Sequence, residues 1–201
     1  MILSFWRLIM RACYPSAFRI NKIALVGARR SGKSSLGNTL LGWNAFQPIF
    51  GIESVSKLCA VGLTKLPSGK TINVVDTPGI TNSKDQAVVN EIKKSIVYLN
   101  PGPHAFLLVM QPDRSLQEDI KALKELKNVF GDSFLQITIM IMVCRNQICH
   151  ENSSLMDIHE FIANSACKEI IEAYNLCGKR IIAVDNRRRT SSRRKSIENK
   201  Y

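Results

Sequence analysis

Residues 20–42 read INKIALVGARRSGKSSLGNTLLG. The run Ile20–Val26 is short, apolar and bounded by Gly27, which is the pattern of a buried strand. Gly27 to Ser34 spell Gly-x-x-x-x-Gly-Lys-Ser, and the apolar spacing beyond them, stopping at Gly42, is that of a helix. Strand, glycine-rich turn and helix start, in that order, are the context in which this motif becomes a phosphate-binding loop. Glycines let the backbone wrap an anion, and N–H groups at a helix N-terminus point at it. The candidate phosphate-binding residues are therefore Gly27, Ala28, Arg29, Arg30, Ser31, Gly32, Lys33, Ser34 and Ser35. Lys33 is placed to reach the β and γ phosphates of a nucleoside triphosphate, and the Ser34 hydroxyl to ligate Mg2+.

A second motif, Asp76-Thr77-Pro78-Gly79, closes the predicted strand Thr71–Val75. A carboxylate there can hold Mg2+ through water, and the Gly79 N–H can meet a γ-phosphate. Val55–Leu66 alternates as a strand, and LPSGK (66–70) is a turn, so the two strands form an antiparallel hairpin. Further strands are predicted at Ala105–Met110, Gln136–Val143 and Ile181–Val184. Helices are predicted at 85–99, from a Ser115-x-x-Glu118 capping box to about Phe130, and at Leu155–Ala173. Strands alternating with helices predict an α/β domain of the three-layer P-loop NTPase type. Its sheet is mostly parallel, with one antiparallel edge hairpin.

The 201 residues suit one domain, and no apolar run reaches the ~18 residues of a membrane-spanning helix. Six cysteines lack CxxC spacing, which points to a reduced, cytoplasmic chain. The net charge of +12 favours anionic partners, and residues 187–195 (RRRTSSRRK) carry a good part of it. We divide the chain into an N-terminal apolar extension (1–18), a nucleotide-binding domain (19–186) and a basic tail (187–201). The extension, MILSFWRLIM at its start, reads as a weak amphipathic anchor or as a segment without a fold. The tail reads as a solvated end or as a contact for acidic lipid, and no specific nucleic-acid partner is expected. The tail has almost no apolar content, so the helix that would cover one sheet face after the last strand is missing from the sequence pattern.

The motifs together resemble a known family. The series GxxxxGKSS, SVSKLC (54–59), VVDTPG (74–79), GPHAFLLVM (102–110), RSLQEDIKALKELKNVFG (114–131) and CGKRIIAVDN (177–186) is similar to the GIMAP family of immunity-associated GTP-binding proteins. That resemblance implies a G domain that binds GTP or GDP with Mg2+ and hydrolyses GTP slowly at most. It also implies homodimers, or heterodimers with family members, through the G domain, and a place at the periphery of an intracellular membrane. Ser56 falls where the family has its switch threonine, a further Mg2+ ligand, with Ser54 as a competing candidate. Arg114 follows the GPHAFLLVM strand and is a candidate arginine finger acting in trans. His104 is read as a residue of the family motif, not as a base.

The sequence departs from the family pattern at several points. Ile80 follows DTPG and cannot orient an attacking water, so intrinsic hydrolysis should be slow. Arg29 and Arg30 stand in the middle of the phosphate loop, where they either crowd the γ-phosphate or add favourable charge. The guanine-reading segment falls on Val143, Cys144, Arg145 and Asn146, with Asn186 on the last loop. Asn146 offers one carbonyl acceptor where a carboxylate would accept from two guanine donors, which relaxes base selection. Asp119 is acidic but is expected on a distant helix. The rival readings are a scaffold that keeps the fold without useful nucleotide binding, and a P-loop ATPase or kinase.

Overall fold

The computed structural model describes residues 21–47, 58–81, 84–111, 116–143, 158–159, 162 and 168–184. Along the chain run β1 (Lys22–Val26), α1 (Lys33–Leu41), β2 (Ala60–Lys65), β3 (Thr71–Asp76), α2 (Gln86–Tyr98) and β4 (Ala105–Met110). There follow α3 (Leu116–Phe130), α4 (Ser133–Gln136), β5 (Thr138–Val143), α5 (Lys168–Leu176) and β6 (Ile181–Val184). The strands form one sheet in the order β2-β3-β1-β4-β5-β6. Only the β2–β3 pair is antiparallel; β1 pairs in parallel with β3 and β4, and β5 with β4 and β6. This is the mostly parallel sheet with an antiparallel edge hairpin that the sequence predicts.

The period of two in each strand sorts the core into two layers. Ala24, Val26, Val75, Phe106, Leu108, Met110, Met140 and Met142 pack with Ile92 of α2, Ile120, Leu123 and Leu126 of α3, and Ile170 and Ala173 of α5. The alternate side chains, among them Ile23, Leu25, Val74, Leu107 and Ile141, pack with Leu36, Leu40 and Leu41 of α1. On that second face Ile139, Ile141, Val143, Ile182 and Val184 are 6% exposed or less. Segment 187–201, which the sequence reading held unable to cover this face, lies outside the described residues, as does 1–20.

Three boundaries differ from the sequence reading. The strand expected from Gln136 begins at Thr138, because Ser133–Gln136 closes a helical turn that buries Phe134 and Leu135. Thr138 Oγ1 donates back to the Phe134 carbonyl at 2.6 Å and fixes the break between turn and strand. The last helix runs past Ala173 to Leu176, because Tyr174 and Cys177 continue its buried stripe. The hairpin strand that pairs with β3 starts at Ala60, with Leu58 and Cys59 outside it; the expected start at Val55 lies in 48–57, outside the described residues. Helix α3 ends where expected: Gly131 takes φ +79° and its N–H donates to the Lys127 carbonyl at 2.8 Å.

The first layer is pinned by an aromatic cluster. Phe106 of β4 lies 4.8 Å from Phe130 and 4.9 Å from Phe134, centroid to centroid, with the last pair edge-on. Phe134 is 2% exposed and among the largest fully buried side chains. Phe134→Ala should cost about 3–5 kcal/mol in urea unfolding, with the slope unchanged. A loss under about 1 kcal/mol would show that the cluster does not anchor this layer.

Candidate functional site

The parallel register of β1 with β3 sets Leu25 beside Asp76, so the turns that leave the two strands emerge side by side. The first is the glycine-rich loop. A Cβ at Gly27, where φ is +145°, would lie 2.5 Å from the Val109 carbonyl oxygen, so only glycine lets the loop pass this close to β4. The loop then turns through Arg30 at φ +60° and Gly32 at φ +99° into α1. Ser31 N–H donates to the Ala28 carbonyl at 3.4 Å.

The second turn presses on the first. A Cβ at Gly79 would lie 2.5 Å from Arg29 Cα and 2.7 Å from Arg29 N. Ile80 N–H donates to the Gly27 carbonyl at 3.2 Å, and Ile80 itself is fully buried. Thr77 is buried too, its Oγ1 donating to the Leu25 carbonyl at 2.7 Å. Ser34 Oγ donates to Asp76 Oδ2 at 2.5 Å, which joins the helix start to the end of β3. Asp76, Lys33, Ser34, Gly79 and the loop from Gly27 to Ser35 thus form one locus. Arg29 and Arg30 are exposed on its outside.

Lys33 is 6% exposed. Its Nζ donates to the Ala28 carbonyl at 2.6 Å and to the Gly27 carbonyl at 3.4 Å, folded back onto its own loop. Burial lowers its pKa to about 8, against the opposing pull of Asp76 and Asp119. Burial also raises the Asp76 pKa, while the Ser34 hydroxyl and Lys33 oppose that rise.

Asp119, which the sequence reading set on a helix distant from the base-reading segment, lies by the phosphate loop. Its position on α3 faces the end of β4, and Oδ2 accepts the Gln111 N–H at 2.9 Å. It is 1% exposed and within electrostatic reach of Lys33; burial raises its pKa to about 6. Sequence reasoning missed it because the α3–β4 packing that brings it to the loop is tertiary.

Buried polar atoms normally find partners, so exceptions mark places where something else binds or strain is held. Five such side-chain atoms are found among the described residues, and Ser31 Oγ, Asp76 Oδ1 and Asp119 Oδ1 gather at this loop. A cradle with no room for a Cβ at Gly27 or Gly79, a lysine and a hydroxyl–carboxylate pair fit a phosphate with a hard divalent cation. Ser34 and Asp76 would hold the Mg2+, and Lys33 the phosphates.

Other predicted residues are not brought to this locus by the described structure. Ser54, Ser56, Arg114, Cys144, Arg145, Asn146 and Asn186 lie outside the described residues. His104 is a structural acceptor: its Nδ1 takes the Lys22 N–H at 3.2 Å. Burial lowers its pKa, aided by Lys22 and Lys70. The cysteines at hand are quiet, with burial pushing the Cys59 thiol up to about 12 and Cys177 to about 11. Among the described residues no helix is long and apolar enough to cross a membrane.

The fold and the two facing loops define a P-loop nucleotide-binding domain with the fold of a G domain. The AIG1 family profile matches residues 21–200, and the chain belongs to the AIG1 family. Immune-associated nucleotide-binding protein 4 of Arabidopsis thaliana is 32% identical over 178 residues, covering 86% of this chain and 53% of that protein. GTPase IMAP family member 8 of Homo sapiens is 30% identical over 162 residues, covering 76% of this chain and 23% of that protein. The chain thus spans about half or less of the length of these relatives. Among solved structures, Toc33 from Arabidopsis thaliana in complex with GDP and Mg2+ superposes with a TM-score of 0.63 at 19% identity, covering 85% of this chain and 72% of that one. Era from Aquifex aeolicus, bound to GDP and AlF4−, does so at 0.54 and 19% identity, over 82% of this chain and 50% of that one.

The raised pKa of Asp119 makes a signed prediction. A carboxyl whose folded pKa lies above its unfolded value of 3.8 destabilises the fold as it ionises. That loss begins as the pH rises through the unfolded pKa and is complete above the folded pKa of about 6. Asp119→Asn keeps an acceptor for the Gln111 N–H and removes the charge. It should therefore gain stability relative to the wild type as the pH rises from about 4 to about 6, on the order of 1–3 kcal/mol in urea unfolding. A difference that stays flat across this window would contradict the assignment.

Proposed function

We propose that this domain binds GTP or GDP with Mg2+ and works as a nucleotide-dependent switch or scaffold, with slow hydrolysis at most. The observation that carries the reading is the set of orphaned buried polar atoms at the loop that holds Lys33, where Gly79 lets the second loop lie against Arg29. In this reading Lys33 would hold the phosphates with its ammonium, Ser34 and Asp76 would hold Mg2+, and the Gly79 N–H would meet the γ-phosphate. Ile80, buried in the core, leaves no side chain in that position to orient a water.

Ser56 is proposed as a further Mg2+ ligand, and Arg145, Asn146 and Asn186 as the residues around the base. The choice of guanine is supported by the family and by the relatives' names. Dimerisation through the G domain, as homodimer or with a family member, is proposed with Arg114 reaching across in trans. Its support is Toc33, for which a dimerization-deficient arginine-to-alanine mutant is known and dimerization is important for GTPase activity. A contact of the N-terminal extension or basic tail with an acidic membrane surface belongs to the same proposal.

The direct test is binding of labelled GTP by the full chain, competed with GTP, GDP and ATP. Binding should be micromolar or tighter, abolished by Lys33→Ala, and displaced by GTP and GDP ahead of ATP, by a margin that Asn146 leaves smaller than a carboxylate would. Displacement by ATP as strong as by GTP would overturn the guanine assignment, and no binding by folded protein would leave a scaffold. The state of Lys33 adds a pH dependence. Bound phosphate holds the lysine charged, whereas in the free protein it loses its proton near pH 8. Affinity should therefore be flat below that pH and fall by up to about tenfold per unit above it. Arg114→Ala should remove any concentration dependence of hydrolysis measured as phosphate release; hydrolysis that keeps that dependence would contradict the role in trans.

A further inference from the structure

We propose that the free edge of β2 is a docking strand for an extended, acidic segment of a partner protein. The strand lies at the end of the sheet, and β3 is its only strand neighbour among the described residues. Its register with β3 is unbroken from Ala60 to Lys65, so no bulge turns the edge away. No proline interrupts it, and its one charge stands at its end, Lys65.

The direction of the backbone follows from the ladder. Leu66 N–H donates to the Lys70 carbonyl at 2.9 Å, the next pair beyond Lys65 and Thr71. Bonded pairs alternate in an antiparallel ladder, so Thr64, Gly62 and Ala60 also point their polar groups at β3. Val61, Leu63 and Lys65 point theirs at the open edge. The Leu63 carbonyl shows this directly, since it accepts the Trp43 indole N–H at 3.2 Å.

The same residues present apolar side chains. Val61 is 45% exposed, Leu63 54%, and Trp43, against the edge, 53%. Gly62, whose Cβ would strike Leu41 at 2.3 Å, keeps the other side of the strand tight against α1. An arriving strand would thus find the outward groups of Val61 and Lys65 and an apolar strip in one place, and would take the Leu63 carbonyl from the Trp43 indole.

Charge selects the occupant. From Leu58 to Val75 the sequence holds Lys65 and Lys70 and no acid, in a chain of net charge +12. An acidic strand answers Lys65, whereas the β2 of a second copy brings no acid to it.

The test uses the full chain carrying Trp6→Phe, which leaves Trp43 as the reporter at the edge. Two acetylated peptides of about ten residues, alternating Val with Glu or Val with Lys, serve as probes. The Glu peptide should change Trp43 fluorescence and slow amide exchange at Val61 and Leu63, and the Lys peptide should do neither. Val61→Pro removes an outward N–H and leaves the β3 ladder whole, so it should weaken binding about tenfold or more without moving the melting midpoint. Leu63→Asp checks the same point without a backbone change. Equal binding of both peptides, binding of neither, or binding untouched by Val61→Pro and Leu63→Asp would overturn the proposal. Sedimentation showing a dimer that Val61→Pro dissociates would overturn it in favour of a second copy. None of these readouts depends on nucleotide, so they stand apart from the outcome of the GTP titration.

Discussion

The parallel pairing of β1 with β3 is the constraint from which the site follows. It puts Leu25 beside Asp76 and so lets two loops, far apart in the chain, leave the sheet in contact. The contact is tight enough to forbid a side chain at Gly79, which yields to the Arg29 backbone, while Gly27 yields to the Val109 carbonyl of β4. The Ser34–Asp76 hydrogen bond then closes the seam at 2.5 Å. A β1–β3 slip of one residue would send Asp76 to the other side of the sheet and undo every part of this arrangement.

Electrostatics explains what the seam is for. A lysine buried with two carboxylates in reach is an unfavourable thing to build into a core unless it is answered. Here the answer within the chain is partial. Lys33 settles on the carbonyls of Ala28 and Gly27, and each of Asp76 and Asp119 keeps one oxygen without a partner. An anion for the lysine and a cation for the carboxylate would complete the set together. A metal-bound phosphate brings both.

Much of this was legible in the sequence because it is local. The glycine spacing from Gly27 to Gly32, the strand before it and the helix after it depend on neighbours in the chain, and DTPG closes the very strand it was expected to close. The β2–β3 hairpin is announced by its Pro-Ser-Gly turn, and the Leu66 and Gly69 hydrogen bonds bear that out. What escaped depends on packing between distant segments. Asp119 stands in a helix rich in Lys and Glu and is 1% exposed, because the α3 face that carries it rests on the end of β4. Glu91 is similar: on α2 it is 6% exposed, accepts the Cys59 N–H at 2.9 Å and pairs with Lys94 at 2.6 Å. The turn Ser133–Gln136 was lost in the apolar run that follows it, where periodicity cannot separate a short helix from a strand.

The most direct measurement of the central claim is a crystal structure of the full chain grown with GMPPNP and Mg2+. The account predicts phosphate oxygens in the cradle from Gly27 to Ser34 and Lys33 Nζ moved from the Ala28 carbonyl onto them. It also predicts the metal lying between Ser34 Oγ and Asp76. Lys33 still bonded to Ala28, with the nucleotide elsewhere or absent, would contradict it.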